Sequence, residues 1–345
     1  MRIRSFRHCV LVSLLAASSA RAESYSDWLE ATNDEWVQGW VSGMQDELLT
    51  FESDSFSTLY LDWSSVRRLH VTQHVTWVFK DLSTVVGTGD FEQGKLTVNG
   101  RSYPAHKLDG ITVGGERELQ YWHLGLSSGL TFQRGSVSQL IWTNFVDVRR
   151  DDGLTRTQVQ YTGSLGAAYG DITTNKHTGI GQFDIKLTSI LYAMPFFGML
   201  THDLEQNISL RAVAAVGAGV MILDQSKFTW SLGGGPGYQS TVPITVDSGE
   251  DEESHGFALV LNTRAQFEWT DDLKLSAQWV SLIAVTDLDR SYHRLTASLH
   301  IALIDKLTVD INTIFERSED PNAPTNEDGL RISDLELVVG LGVSL

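Results

Sequence analysis

From about Leu119 to Leu345, apolar residues recur at every second position in one segment after another. Phe257, Leu259, Leu261, Ala265, Phe267 and Trp269 share one parity, while Asn262, Arg264, Gln266 and Glu268 hold most of the other. Leu295, Ala297, Leu299 and Ile301 oppose Arg294, Thr296, Ser298 and His300 in the same way, and Leu307, Val309, Ile311 and Phe315 oppose Thr308, Asp310, Asn312 and Glu316. Successive side chains of a strand point to opposite faces, so this period predicts strands with one apolar and one polar side. Twelve segments fit, centred near 126, 143, 162, 183, 196, 214, 235, 263, 279, 297, 312 and 337, with the second and fifth ambiguous in parity.

The connections separate by length. Those near 150–153, 188–190, 224–227, 270–272 and 304–306 are short, while those near 171–177, 243–256 and 318–329 are predicted to be long loops. Short turns at one end and long loops at the other are the habit of membrane barrels, in which the apolar face meets lipid and the polar face meets the lumen. Aromatic residues toward the segment ends (Trp122, Trp142, Tyr169, Tyr238, Phe257, Trp269, Phe315) fit interfacial girdles. Closure also removes the sheet edges that lipid cannot satisfy. The last segment alternates through Leu335, Leu337, Val339, Leu341, Val343 and Leu345, and its ending resembles the signal read by barrel-insertion machinery, with Leu345 in place of the usual aromatic. No stretch is expected to cross a membrane as a helix; Leu187 to Thr201 is interrupted by Pro195.

Residues 1–22 read as a secretory signal peptide: Arg2, Arg4 and Arg7, an apolar core from Val10 to Ala17, and the small-residue site Ala20-Arg21-Ala22. The single cysteine, Cys9, falls inside it, so the mature chain is expected to hold together without disulfides. The whole chain has 26 Lys+Arg against 43 Asp+Glu, and removal of the leader takes away only arginines. Such an acidic balance argues against a nucleic-acid partner, which needs a basic footprint. Residues 23–116 carry short β-like runs and a weak internal echo. Leu49-Thr50-Phe51 followed by Leu61-Asp62 is repeated as Leu96-Thr97-Val98 followed by Leu108-Asp109. The fold expected is all-β: a small duplicated β module (23–116) ahead of an antiparallel transmembrane barrel of about twelve strands (117–345). An even strand number puts the module on the side of the C-terminus, the periplasm.

The stretches Glu35-Trp36-Val37-Gln38-Gly39-Trp40, Phe51-Glu52-Ser53-Asp54 and Leu61-Asp62-Trp63-Ser64-Ser65-Val66 carry a resemblance. So do Val148-Arg149-Arg150, Leu154-Thr155-Arg156, Tyr161-Thr162-Gly163 and Asp328-Gly329-Leu330-Arg331. In this order, across nearly the whole mature chain, they resemble the salt-induced outer-membrane protein family catalogued as DUF481. The resemblance implies a Gram-negative outer-membrane barrel with no settled activity. It brings no catalytic, cofactor or metal residues.

Motifs with chemistry of their own are sparse. Gly125-Leu126-Ser127-Ser128-Gly129 has nucleophile-elbow spacing and His123 shares a face with Ser127, but the pattern lies inside an alternating strand rather than at a strand-to-helix turn. His202-Asp203 with His293 is the one arrangement that could suggest a barrel hydrolase. Gly233-Gly234-Gly235-Pro236-Gly237 lacks the Lys of a phosphate loop and is expected to let the wall bend or let a large side chain cross the lumen. Glu250-Asp251-Glu252-Glu253, near Asp247, lies in the longest predicted outer loop, as a solvated tip or a divalent-cation link to lipopolysaccharide. By parity Arg156, Arg211, Arg264, Lys274, Arg294, Glu268, Asp310, Glu316 and Glu336 face inward, with Asp334. A lipid-facing Arg or Lys at mid-depth costs about 2–4 kcal/mol. These charges either pair and brace the lumen or line a narrow pore.

The functions expected are therefore an outer-membrane barrel of the envelope or osmotic stress response or a narrow solute pore; a platform on which the module binds a periplasmic partner; and, third, a barrel enzyme. Membrane lipid and lipopolysaccharide are the expected surroundings. No cofactor is expected.

Overall fold

The computed structural model describes residues 27–344, apart from 46, 54, 56, 116, 134–138, 170, 189, 226, 247–252, 271, 286–290, 305 and 319–332. The expected leader, Asp247, most of the acidic run and Asp328 to Arg331 lie outside these residues.

The first nine strands are β1 (Asp27–Ala31), β2 (Trp36–Gln45), β3 (Leu48–Ser53), β4 (Ser57–Asp62), β5 (Val66–Phe79), β6 (Thr84–Glu92), β7 (Lys95–Val98), β8 (Arg101–Pro104) and β9 (Leu108–Val113). β1 pairs with β2 and β5, and β9 pairs with the same two, so four strands close into a ring. From it β3 and β4 extend on one side and β6, β7 and β8 on the other. Alternation turns Leu29, Val41, Phe51, Val71, Trp77 and Ile111 into one buried core. Trp77 is fully buried, and its indole N–H donates to the Gly87 carbonyl at 3.0 Å, which satisfies the one polar atom that it takes inside.

The duplication is visible as β2–β3–β4, a 3₁₀ turn at Trp63–Ser65, then β5, against β6–β7–β8, a 3₁₀ turn at Ala105–Lys107, then β9. Leu49 and Phe51 stand in β3 where Leu96 and Val98 stand in β7, all without exposure. The second half of the sequence echo is not structural. Leu61-Asp62 ends β4 ahead of its turn, whereas Leu108-Asp109 opens β9 after its turn. The true counterpart of Leu108 is Val66, which shares its place and burial but not its neighbours in sequence.

Asp27 ties the ring together. Its buried carboxylate accepts from the backbone N–H groups of Val41 (3.1 Å) and Thr72 (2.6 Å), the Thr72 hydroxyl (2.8 Å) and Gln73 Nε2 (3.0 Å). Asp27→Ala strands these donors at about 1–3 kcal/mol for each buried one. The expected result is rapid proteolysis within residues 27–113 of the full chain, with the barrel still resistant; wild-type resistance throughout would refute it.

The remaining strands are β10 (Trp122–Gln133), β11 (Gln139–Asp151), β12 (Thr155–Ala168), β13 (Asp171–Lys186), β14 (Leu191–Asp203), β15 (Ile208–Gln225), β16 (Phe228–Pro243), β17 (Ser254–Thr270), β18 (Leu273–Ala284), β19 (Tyr292–Ile304), β20 (Leu307–Ser318) and β21 (Ser333–Ser344). Each pairs antiparallel with the next, and β21 closes on β10 from Gly125↔Ser344 to Gly129↔Gly340. The protein is all-β, a closed twelve-stranded barrel behind a smaller module. The connections at the module end (152–154, 187–190, 226–227, 271–272, 305–306) are short, and 244–253, 285–291 and 319–332 at the far end are longer.

Two expectations fail here. The predicted loop at 171–177 is the first half of β13, joined to β12 by only 169–170. Its contrast disappears because both faces are polar: Lys176 points inward to carboxylates, while His177 hydrogen-bonds with Tyr161 and Asn175 on the outer wall. The division into apolar outside and polar inside fails along β14 to β18. Met194, Phe197, Met199, Val213, Val260 and Leu282 are buried in an apolar cluster inside the barrel. β14 is apolar on both faces, which explains the ambiguous parity near 196.

Candidate functional site

The inner wall is filled at three levels. Toward the far end, Lys176 Nζ lies 3.2 Å from Asp203 and 3.7 Å from Asp334, and contacts Glu316 across five strand positions of the ring. Arg294 contacts the same Glu316 and donates to Thr178 Oγ1 at 3.3 Å. Thr178 on β13 and Arg294 on β19 are six strands apart, opposite one another across the lumen. Arg211 stacks its guanidinium over the Tyr292 ring, 5.0 Å from the centroid. Asp203, Glu316 and Asp334 are the only group of carboxylates close enough to hold a metal ion among the described residues, and the Lys176 ammonium already contacts all three.

The apolar cluster lies beside a second bridge. Asn262 Nδ2 donates to Gln182 Oε1 at 2.5 Å from four strands away, Gln278 donates to Asn262 at 3.1 Å, and Gln182 donates to Asp184 at 2.7 Å. Toward the module, Asp184 also binds Arg156 at 2.7 Å, and Arg156 lies 5.6 Å from the centroid of the Tyr192 ring. The Tyr192 hydroxyl occupies the space that side chains at Gly219 and Gly233 would fill, so the glycine run makes room for a large ring inside the barrel.

Of the other inward candidates, Glu336 lines a small void with Lys176, Thr178 and Arg294, and the rest lie apart from this network. Glu336 accepts from Thr143 at 2.7 Å, and Asp310 binds His300 at 2.9 Å. Arg264 is partly buried within the lower wall. Glu268 and Lys274 pair at 3.0 Å, with Lys274 45 % exposed at the mouth rather than enclosed. Sequence reasoning missed Lys176, Asp184, Gln182 and Asn262. The first falls in the stretch 171–177, where spacing predicts a loop. The others are polar residues of an ordinary strand pattern, and only closure decides which residue lies opposite.

The histidine motifs do not assemble. His202 and Asp203 point to opposite faces: His202 binds the Ser209 carbonyl at 2.8 Å outside, and Asp203 meets Lys176 inside. His293 shares a 2.8 Å hydrogen bond with Ser281, whose side chain is buried. Ser127 and His123 lie within β10, with no turn to present a nucleophile.

The module caps the short-turn mouth. Lys186 of β13 binds Asp109 of β9 at 2.9 Å, and Lys227 sits 4.5 Å over the Tyr60 ring. Arg150 joins Glu118 (2.5 Å), in the segment between module and barrel, to Asp152 (2.7 Å). The Arg150 hydrogen bond holds the Glu118 carboxyl below its ordinary range. Burial pushes the Asp152 carboxyl up, but the Thr155 and Leu154 N–H groups and Arg150 outweigh it and hold that carboxyl low.

Residues 127–344 match the family described as "Protein of unknown function, DUF481". The chain belongs to the DUF481 family. The match spans the barrel; the module motifs between Glu35 and Val66 lie outside it, so the resemblance is established over less of the chain than expected. No curated protein matches the sequence. Among solved structures, the DUF481 barrel is similar to the NanC porin at 9 % identity, over 65 % of this chain and 100 % of that one, with a TM-score of 0.40. It is similar to the translocator domain of autotransporter NalP from Neisseria meningitidis at 11 % identity, over 64 % and 86 %, with a TM-score of 0.34. Pseudomonas aeruginosa OccK11 (OpdR) is similar at 9 % identity over 93 % and 94 %, with a TM-score of 0.28.

Proposed function

We propose that this protein is an outer-membrane barrel that works as a braced anchor, holding its N-terminal module against the periplasmic mouth, and not as an open pore. The observation that carries this reading is the set of bonds between strands on opposite sides of the ring, Arg294 to Thr178 and Lys176 to Glu316. A conducting lumen needs a continuous polar path; here the space is taken by ion pairs, an amide bridge and packed Met194, Phe197 and Met199. The membrane assignment rests on the outer wall. Leu337, Val339 and Leu341 are 58 %, 54 % and 59 % exposed on one strand, and Leu200, Trp279 and Leu295 continue the apolar surface on others. Water-facing monomers rarely carry so extensive an apolar patch. The short-turn end is the periplasmic end in such barrels, and the module sits there. A stiff, filled barrel suits an envelope role under osmotic stress, as the family resemblance suggests, and assigns the protein no catalysis.

The test is planar-bilayer recording of the purified full chain, with insertion verified by protease protection. Silence across a range of salt concentrations is expected. Steady unitary steps would refute the braced-anchor reading and favour the narrow pore.

A further inference from the structure

The capped mouth encloses a cavity of about 500 Å³. Its walls come from both units: Met44, Val78 and Asp109 from the module, and Arg149, Arg156 and Tyr192 among others from the barrel. It does not stop at the inner wall. Leu191 and Val220, paired on the outward faces of β14 and β15, also line it, as does Ile222 at a bulge in β15; Leu191 is 47 % and Ile222 40 % exposed. Ile190, in the turn ahead of β14, joins them at 59 %. The cavity therefore runs from a charged interior to an apolar opening over the rim of β14 and β15, where the barrel meets the inner leaflet on the reading above.

The charged part has a chemical bias although its formal charges balance. Among the described lining residues, Asp109 is paired with Lys186, Asp184 with Arg156 and Gln182, and Asp151 with Arg149 and the Gly153 N–H. The guanidiniums are not fully used. Arg149 spends one contact, at 3.3 Å, and Arg156 donates through Nε and Nη2 to one carboxylate. A guanidinium has five N–H donors. The unused N–H donors of Arg149 and Arg156 line one cavity, so a group that brings several oxygens of its own, such as a phosphate, is matched by them.

We infer that this cavity binds an anionic membrane lipid, its phosphate held by Arg149 and Arg156 and one acyl chain leaving past Leu191 and Ile222. The assignment rests on the membrane-anchor reading. The volume falls within the range of small-molecule sites, and the division into a donor-rich interior and an apolar opening is the division of an amphiphile. The occupant would tie module, barrel and leaflet together at the point where Lys186 and Asp109 already meet.

The experiment reconstitutes the full mature chain into vesicles of phosphatidylcholine with a minor fraction of phosphatidylglycerol, extracts it in mild detergent, and counts retained lipid by native mass spectrometry. One phosphatidylglycerol per chain is expected, kept in excess inorganic phosphate. Arg149→Gln removes a half-exposed side chain with a single weak bond, so it should fold normally while retaining lipid roughly tenfold less, the effect of one charge-assisted contact of about 1.4 kcal/mol. Ile222→Trp, which narrows the opening without touching a charge, should lower retention as well. Wild-type protein that enters vesicles but retains no phosphatidylglycerol, displacement by inorganic phosphate, or unchanged retention in both variants would overturn the lipid site and leave the anchor reading intact. Failure to enter vesicles would overturn the anchor reading, and the lipid site with it.

Discussion

Glu316→Ala is expected to destabilise the barrel by about 3–5 kcal/mol, the usual cost of removing one member of a buried ion pair. Glu316 is 1 % and Arg294 3 % exposed, and Lys176 shares the same carboxylate. After the substitution two cations remain enclosed, with Asp203 the nearest counter-charge for Lys176 and, among the described residues, none in contact with Arg294. Water cannot replace the lost carboxylate in a packed interior. The measurement is the urea midpoint of the protein in phospholipid vesicles, followed by tryptophan fluorescence, with the slope checked for constancy. Lys274→Ala provides the contrast: its pair with Glu268 is 45 % and 26 % exposed, and it should cost less than about 1 kcal/mol. Equal effects for the two would refute the view that the far-end network braces the lumen.

Phe197→Ala should cost about 3–5 kcal/mol, whereas Phe196→Ala should cost much less. The residues are sequence neighbours on β14 with opposite fates. Phe197 is fully buried among Met194 and Met199, while Phe196 is 52 % exposed on the outer wall. Truncating Phe197 leaves a void that the closed barrel cannot collapse, and its lining loses dispersion contacts outright. On the anchor reading, truncating Phe196 in vesicles leaves a gap that mobile acyl chains fill, and the apolar surroundings persist. The same vesicle assay separates them. If both changes cost the same, the cluster behind Phe197 is not a packed core and the filled-lumen reading fails with it.

Much of the architecture was legible because period two is a local property. All twelve expected centres fall within β10 to β21, and the five short turns are where spacing put them. Alternation needs only that each strand face two different media, and residues such as Leu335, Leu337 and Leu341 state that in the order of the chain. Where a strand meets similar surroundings on both sides, the signal vanishes. β14 is apolar on both faces and the start of β13 polar on both, so the pattern of the one is ambiguous and that of the other predicts a loop. The module echo succeeded at Leu49 and Leu96, where equivalent places carry the same residue, and failed at Leu61 and Leu108, where the same residues occupy unequal places.

The sequence by itself determined that this chain forms a closed sheet with charges turned away from its apolar side, since a misplaced charge there carries a cost no neighbour can remove. Only the tertiary structure decided which charges meet. Thr178 and Arg294 lie 116 positions apart in sequence, yet closure sets them face to face. Strand order fixes neighbours along the wall, but contacts across the lumen depend on the stagger and radius of the whole ring, which no single segment encodes. The junction cavity is of the same kind: Asp109 and Lys186 are ordinary surface charges until module and barrel are brought together.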